Sequence, residues 1–465
     1  MNTIYIKQIN ANICYSSDNF SKEFITKLLE YTATASYFDR SIGKRVVKFS
    51  KKSFAIKQKK NIFFPVGLID YIIDKSNEQN ISINIEYVEP YVIKQQKPKL
   101  PNITFEDYQI DLLNKIKENK RGILICPTGG GKTTVLGGIA SALKIPETVI
   151  IVPNQTIFNQ MYKSFCSWFG KNNVGQIGQG ILNQKKITVC LYQSLIKYKI
   201  KKSLKLLLCD EVHMINTSII NFLKKCDHVY YRYGVTATPQ KFKNNLLKAF
   251  EMEGYIGPIL HEVEEKEVSA RVLPVKVKMI NFYCSNPSGT TYQKVLRQDV
   301  LLSTVRNTKF LKAAKELILD KNLTCLILID ETKQGEKIIE IAEELNIDIT
   351  LVHGKQDKEY IKSIIEKLNK RQINCVVATK VFGVGLDIPN VDSVVLASAR
   401  KSEIDTLQKI GRSRRNVKTM NHAIVIDSID NVKGTKRYVK HFYKHSLERL
   451  NIYKEKKWDI EKLTF

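Results

Sequence analysis

The residues best suited to chemistry cluster in "CPTGGGKTTV", Cys126 to Val135. Gly129, Gly130 and Gly131 let the backbone curl until its N–H groups converge on phosphate oxygens. Lys132 adds a point charge for the terminal phosphates, and Thr133 offers a hydroxyl to Mg2+. Pro127, Thr128 and Thr134 complete the loop. The pattern is GxxxxGK[ST] with one departure, since Cys126 stands where the first glycine would be. The alternative, an ordinary glycine-rich turn, fits poorly with an apolar run before the loop, a helical stretch after it and Lys-Thr in register. ATP is therefore the expected cofactor, with Mg2+.

A triphosphate site needs a metal-holding acid at a neighbouring strand end, and "LKLLLCDEVH" supplies Asp210, Glu211 and His213. Asp210 is expected to hold Mg2+ and Glu211 to polarise the attacking water. His213 is expected to report the phosphate state to neighbouring loops. An acidic pair at a strand end is more often a solvated cap, but a phosphate loop upstream shifts the balance.

These groups require strands to carry them. Strand-length apolar runs recur at 122–127, 147–153, 186–191, 204–210 and 231–236, with amphipathic helix-length segments between several of them. The pattern resumes at 324–330, 348–353, 374–379, 393–398 and 422–427. Buried strands alternating with helices imply parallel sheets covered on both faces. The expected class is thus α/β, with two tandem parallel-sheet lobes at 102–260 and 308–430. A small basic α+β domain at 1–95 precedes them, ending in the linker-like "PYVIKQQKPKLP". Residues 261–307 read as an interlobe connection, and 431–465 as a basic helix and tail. In that tail Val439, Phe442, Tyr443, Leu447 and Leu450 recur at helical spacing, as a face packed on the second lobe.

Here the chain resembles the superfamily-two helicases, whose further motifs follow in order across residues 102–428. "FEDYQ" resembles the adenine-reading element, which implies that Tyr108 and Gln109 recognise the base. "VIIVPNQTIFNQ" and "ITVCLYQSL" resemble backbone-contacting motifs, implying nucleic-acid roles for Pro153, Asn154, Gln193 and Ser194. "GVTATP" resembles motif III, where Thr236 and Thr238 would couple hydrolysis to lobe movement. In the second lobe "CLILIDE" resembles motif IV, and "VHG" is its companion loop, with His353 and Gly354. "ATKVFGVGLDIP" resembles motif V, with Thr379 on the track strand and Gly385 and Asp387 near the nucleotide. "QKIGRSRR" resembles motif VI, with Gln408 in a coupling role and Arg412 and Arg415 as arginine fingers. Lys409 departs from it, since many relatives have arginine there. The implied fold is two RecA-like lobes, and the implied activity is ATP hydrolysis coupled to strand movement.

Composition bears on the partner. Of 465 residues, 43% are hydrophobic and 26% charged, as in globular proteins, and the formal charge is +28. Such a surplus favours a polyanion, nucleic acid ahead of acidic membrane, although a lysine-rich coding habit would also produce it. Residues 1–100 hold 16 Lys+Arg against 9 Asp+Glu, and residues 401–465 hold 16 against 8, which suits a groove built from several domains. Lys44, Arg45, Lys48, Lys51, Lys52, Lys57, Lys59 and Lys60 form either a duplex-gripping surface or a solvated face. Lys436, Arg437, Lys440 and Lys444 pose the same choice. Nine cysteines without a CxxC pair suggest core packing in a reducing cytosol. No run approaches membrane-spanning length and no signal peptide is evident.

Motif Ia without a Pro-Thr-Arg-Glu signature, and motif III as T-A-T, lean towards the DNA-directed branch. The layout looks most like the phage UvsW-type branch-migration helicases. The resemblance implies a monomer acting on branched or forked DNA with a single-stranded track. An RNA helicase, or a clamp switched by ATP without strand separation, remains the alternative. A small-molecule kinase is disfavoured by the second lobe.

Overall fold

The chain begins with a mixed sheet. Strands β1 (Thr3–Gln8) and β2 (Ile13–Ser16) lead into helix α1 (Asn19–Leu28), then into a long hairpin of β3 (Glu30–Asp39) and β4 (Lys44–Ser53). Strands β5 (Ile56–Gln58) and β6 (Asn61–Pro65), helix α2 (Ile69–Asn77) and strand β7 (Ser82–Glu86) follow. β5, β6, β2, β1 and β7 lie side by side in that order, antiparallel except for β1–β7. Helix α1 starts on Asp18, whose carboxylate accepts from the Ser21 N–H. Both helices cover one sheet face, with Ile25, Leu29, Leu68 and Ile72 on Ile4, Ile6, Cys14, Ile62 and Phe64. β3 and β4 pair with each other along their whole length as a separate two-stranded sheet.

The computed structural model describes residues 3–39, 44–88, 91–127, 129–237, 245–268, 274–379, 391–399, 422–434 and 439–463. They form two units, one of residues up to 127 and 131–265, the other of residues from 266 onward together with Gly129 and Gly130 of the glycine loop.

The first unit continues with α3 (Asp107–Glu118), β8 (Arg121–Ile125), α4 (Lys132–Ala142), β9 (Glu147–Val152) and α5 (Gln155–Phe169). Next come β10 (Val174–Gly178), β11 (Ile181–Asn183), β12 (Ile187–Leu191), β13 (Leu204–Asp210), α6 (Thr217–Lys225), β14 (Tyr231–Thr236), α7 (Leu246–Tyr255) and β15 (Ile259–Glu262). Their sheet order is β11-β10-β12-β9-β13-β14-β8-β15, parallel throughout except the β10–β11 hairpin. β12 and β14 are buried at every position, as parallel strands sandwiched between helices must be.

The N-terminal domain is bonded to this lobe. The Ala11 N–H donates to the Asp227 carbonyl at 2.8 Å, and Asn12 Nδ2 donates to the Leu223 and Lys224 carbonyls. Phe250 of α7 completes the small domain's core. The stretch read as a linker is a strap. Tyr91 donates to the Lys205 carbonyl, Ile93 N–H to the Tyr231 hydroxyl, and Gln96 N–H to the Ala142 carbonyl.

The second unit holds β16 (Val275–Cys284), α8 (Thr304–Lys315), β17 (Cys325–Leu328), α9 (Thr332–Glu344), β18 (Thr350–Val352) and α10 (Lys358–Asn369). β19 (Cys375–Ala378), β20 (Ser393–Leu396), β21 (Ala423–Val432), α11 (Lys440–Glu455) and β22 (Asp459–Leu463) complete it. The order β18-β19-β17-β20-β21-β16-β22 is parallel throughout. The ten apolar runs of the sequence are thus ten strands of two parallel sheets.

Two expectations need correction. The interlobe connection at 261–307 contains β16, an interior strand paired with β21 over ten residues, so the second lobe starts well before residue 308. Its lysines disguised it: Lys278 is buried 3.6 Å from Glu316, and Lys276 lies 3.1 Å from Glu461 of β22. The tail is also more than a helix, because β22 extends the sheet beyond β16. The buried face of α11 is Phe442, Ser446, Arg449, Ile452 and Tyr453, while Tyr443 is 42% exposed. Polar residues turn inward because Arg449 and the Tyr453 hydroxyl reach the Asp427 carboxylate at 2.8 and 2.7 Å.

The eight basic residues of the N-terminal domain are spread over two sheets. Lys44, Arg45, Lys48, Lys51 and Lys52 belong to β4, whereas Lys57 lies on β5 and Lys59 and Lys60 on the turn after it. The side chains of Lys44, Arg45 and Lys48 lie outside the described residues, as do Lys436 and Arg437.

Candidate functional site

At the carboxyl ends of parallel strands the backbone turns outward, which leaves a crevice where neighbouring connections diverge. In the first lobe β8, β14 and β13 lie side by side, and each ends in residues singled out by the sequence. After β8 the chain makes the glycine loop, with Gly129 at φ 88° and Gly131 at φ 78°, left-handed conformations that suit a residue without Cβ. Gly131 caps α4, so the positive end of that helix faces the loop. A Cβ at Gly131 would sit 2.5 Å from Gln109 Nε2. Gln109 therefore braces the loop, while its Oε1 accepts from the Glu106 N–H at 3.2 Å in a capping box at the start of α3. Tyr108 beside it is buried, with its hydroxyl 3.5 Å from Gln109 Nε2.

Cys126, the departure from glycine, is fully buried, and its N–H donates to the Thr236 carbonyl at 2.9 Å. Burial pushes its thiol up to about 11, so it packs as a small apolar group. The Thr236 hydroxyl, at the end of β14, lies 2.8 Å from His213 Nδ1. His213 Nδ1 lies 3.2 Å from Glu211 Oε2, and Glu211 Oε1 lies 3.3 Å from Lys132 Nζ. One continuous polar path thus joins loop, acid, histidine and threonine.

Glu211 holds a left-handed backbone at φ 47°, ψ 53°, a strained state for a side-chain-bearing residue that turns its carboxylate back towards the loop. Burial raises its carboxyl, but Lys132 and then His213 outweigh this and hold it low, at about 2. Asp210 next to it goes the other way. Burial first, and then the Glu211 charge, push its carboxyl up to about 7, although it accepts from the Glu211 N–H at 2.9 Å. Lys132 stays charged, since Glu211 and Asp210 overcome its desolvation. A buried carboxylate this costly to ionise is what a divalent cation beside the loop would neutralise. Asp210, at the end of β13, is an oxygen donor of the kind Mg2+ takes, and Thr133 lies in the first turn of α4 next to Lys132.

The remaining residues follow the same edge. Pro153 and Asn154 follow β9, and Gln193 and Ser194 follow β12, its neighbour. Asn154 Oδ1 accepts from the Thr156 and Ile157 N–H groups at 3.1 and 3.0 Å, so its side chain caps α5. In the second unit His353 and Gly354 follow β18, and the Thr379 N–H donates to the Val352 carbonyl at 3.2 Å, which places all three at one edge. Thr128, Thr238, Gly385, Asp387, Gln408, Arg412 and Arg415 lie outside the described residues.

Residues 102–241 match the family described as "Type III restriction enzyme, res subunit", and residues 309–417 match "Helicase conserved C-terminal domain". The chain belongs to the superfamily-two helicases. The DNA 3'-5' translocase XPB2 of Sulfurisphaera tokodaii is 26% identical to this helicase, over 72% of this chain and 83% of its own. The ATP-dependent DNA helicase uvsW of Enterobacteria phage T4 is 24% identical, over 76% and 75%. Among solved structures, S. cerevisiae Dbp5 bound to RNA and ADP BeF3 matches with a TM-score of 0.52 at 14% identity, covering 77% of this chain and 89% of that one. That likeness concerns the fold alone, which is shared by RNA-bound and DNA-directed members.

Two features of this helicase escaped the sequence reading. The contact of Gln109 with Gly131 had no signal beyond the capping-box spacing. The second is a buried ion network at the ends of β20 and β21. Arg306 binds Asp430 at 2.8 and 3.1 Å and also donates to the Ala397 carbonyl and the Ser428 hydroxyl. An arginine inside an amphipathic helix reads as solvent-facing until its partner is placed. No helix among the described residues is long and apolar enough to cross a membrane.

Proposed function

We propose that this helicase is an ATP-driven DNA translocase that remodels branched or forked DNA. The observation that carries the ATP half is the path Lys132–Glu211–His213–Thr236 at the carboxyl edge of one sheet. Gly129 to Gly131 would cradle the phosphates by backbone N–H groups, and Lys132 would hold the terminal ones. Thr133 and Asp210 would hold Mg2+, which would neutralise charge on the phosphates. Glu211, kept ionised by Lys132 and His213, would orient the attacking water and draw off its proton. Arg412 and Arg415 are assigned, from motif order, the cationic charge that the transferring phosphoryl group needs.

Arrival of a triphosphate moves Lys132 off Glu211, which changes what His213 and Thr236 can bond. A phosphate-dependent change would thereby reach Thr236, the last residue of β14. DNA as the partner is supported by the likeness to XPB2 and UvsW over about three quarters of the chain, and by the charge of +28.

The test is an ATPase and unwinding panel over single strand, duplex, fork, four-way junction and RNA at several salt concentrations. Stimulation should be greatest with forked or four-way DNA and should fall steeply as salt rises. Lys132→Ala should abolish turnover and leave DNA binding in place. Stimulation by RNA and none by DNA would overturn the assignment. Hydrolysis that leaves every junction paired would instead make the chain an ATP-switched clamp.

A further inference from the structure

The N-terminal sheet alternates inward and outward along each strand, and its helices cover one face. Across the uncovered face the register sets a straight row over four strands. Ile56 lies opposite Phe63, Phe63 opposite Tyr15, and Tyr15 opposite Lys7. Tyr5, two residues before Lys7 on β1 and so on the same face, is 54% exposed, and Ile56 is 56% exposed. The Tyr15 and Phe63 rings lie 5.9 Å apart, inclined by 33°, and half-cover each other. The outer face of an antiparallel sheet is normally polar. Three aromatic rings gathered on one mark a surface built to be covered.

Among the described residues, docking to the first lobe does not cover it. The domain is bonded to the first lobe through the turn between β1 and β2 and through Phe250, which sits in the core on the opposite face. The rim of the open face is cationic. Lys7 stands in the row itself but is paired with Glu86 of β7 at 2.6 Å, so the free charge at the rim comes from Lys59 and Lys60, exposed on the turn that joins β5 to β6. Lys22 Nζ donates to the Lys60 carbonyl at 3.1 Å, which brings another ammonium to the same rim.

We propose that this face is a stacking platform for the unpaired bases of a single nucleic-acid strand, separate from the tracks at the ends of the parallel strands. Flat rings accept any base by its π-face, and lysines at the edge match the phosphates; this pairing of groups binds single strands without reading sequence. The net positive balance of residues 1–100, 16 Lys+Arg against 9 Asp+Glu, favours a polyanion over an apolar protein partner. The inference rests on the reading of the chain as a DNA motor and adds where a separated strand is held.

The test uses the full chain and a single-stranded oligonucleotide carrying a photoreactive halogenated uracil. Cross-links mapped by mass spectrometry should fall on peptides containing Tyr5, Tyr15 and Phe63. Tyr5→Ser should weaken single-strand binding by about 5- to 150-fold, the range for one lost base stack. Tyr5→Phe should retain it, since stacking uses the ring and not the hydroxyl, and ATP hydrolysis without DNA should be unchanged in both. Cross-links confined to residues 102–430, with Tyr5→Ser binding at full affinity, would overturn the platform while leaving the motor reading standing. Absence of cross-links together with no DNA stimulation would overturn both. A concentration-dependent dimer abolished by Tyr5→Ser would show instead that a second copy covers the face.

Discussion

Glu211→Gln should tighten nucleotide binding while stopping turnover. Lys132 is held by Glu211 at 3.3 Å, with both side chains largely shielded from water. At an effective dielectric of about 20, two unit charges at that separation attract by about 5 kcal/mol, most of it offset by desolvation. A triphosphate must take Lys132 from the glutamate and also accept a nearby negative charge. The amide removes both obstacles. A net change of about 1–2 kcal/mol corresponds to roughly 5- to 30-fold tighter binding. Turnover should fall by about 100-fold or more, since the group that orients and deprotonates water is gone. Equilibrium titration with a fluorescent non-hydrolysable ATP analogue and Mg2+ measures the first effect, and steady-state phosphate release measures the second. Unchanged or weaker affinity in a variant of unchanged thermal stability would refute the argument, because Lys132 would then not be competed for.

Gly131→Ala should destabilise the fold by about 1–2 kcal/mol, since it forces a Cβ into a left-handed position against Gln109. It should reduce ATPase activity further than urea denaturation accounts for. Arg306→Lys should cost about 3–5 kcal/mol in urea unfolding, because a lysine cannot make the two-pronged contact and leaves Asp430 buried and poorly compensated. Glu253, half-buried on α7, has its carboxyl pushed up by burial to about 7. The folded chain therefore holds that proton more tightly than the unfolded one, and the contribution to stability is complete below about pH 4.5 and lost as pH rises towards 7. Glu253→Gln should remove this loss and raise stability above pH 7 by up to about 3 kcal/mol, with little change at pH 4. Thermal melts across that range test it, and parallel curves for the two proteins would refute it.

The reading of fold from sequence succeeded where burial is symmetrical. "ITVCL" and "YRYGVT" lie in strands covered on both faces, so continuous burial accompanies continuous runs of mostly apolar residues. It failed at "VKVKMINFYC", where Lys276 and Lys278 interrupt the run and their partners Glu461 and Glu316 are remote in the chain. On α11 the expected Val439 and Phe442 are buried and Leu450 packs on the core, but Tyr443 is exposed and the inward residues also include an arginine satisfied by Asp427. In the site, the glycine loop and the Asp-Glu-Val-His stretch were legible as units. The strain at Glu211, the bracing of Gly131 by Gln109 and the role of Asn154 as a helix cap were not.

What the sequence determined unaided is whatever depends on neighbours along the chain: the phosphate loop, the strand-ending acids, the alternation of strand and helix, and the ordered helicase motifs. These are contiguous because a backbone cradle, or a strand's pattern of burial, is set within a few residues. Tertiary structure alone decided that Lys132 meets Glu211, that Thr236 meets both His213 and Cys126, and that Tyr5, Tyr15 and Phe63 share an open sheet face. Those pairings depend on strand order and register. A one-residue slip in register would turn Tyr5, Tyr15 or Phe63 to the opposite face without altering the local sequence pattern.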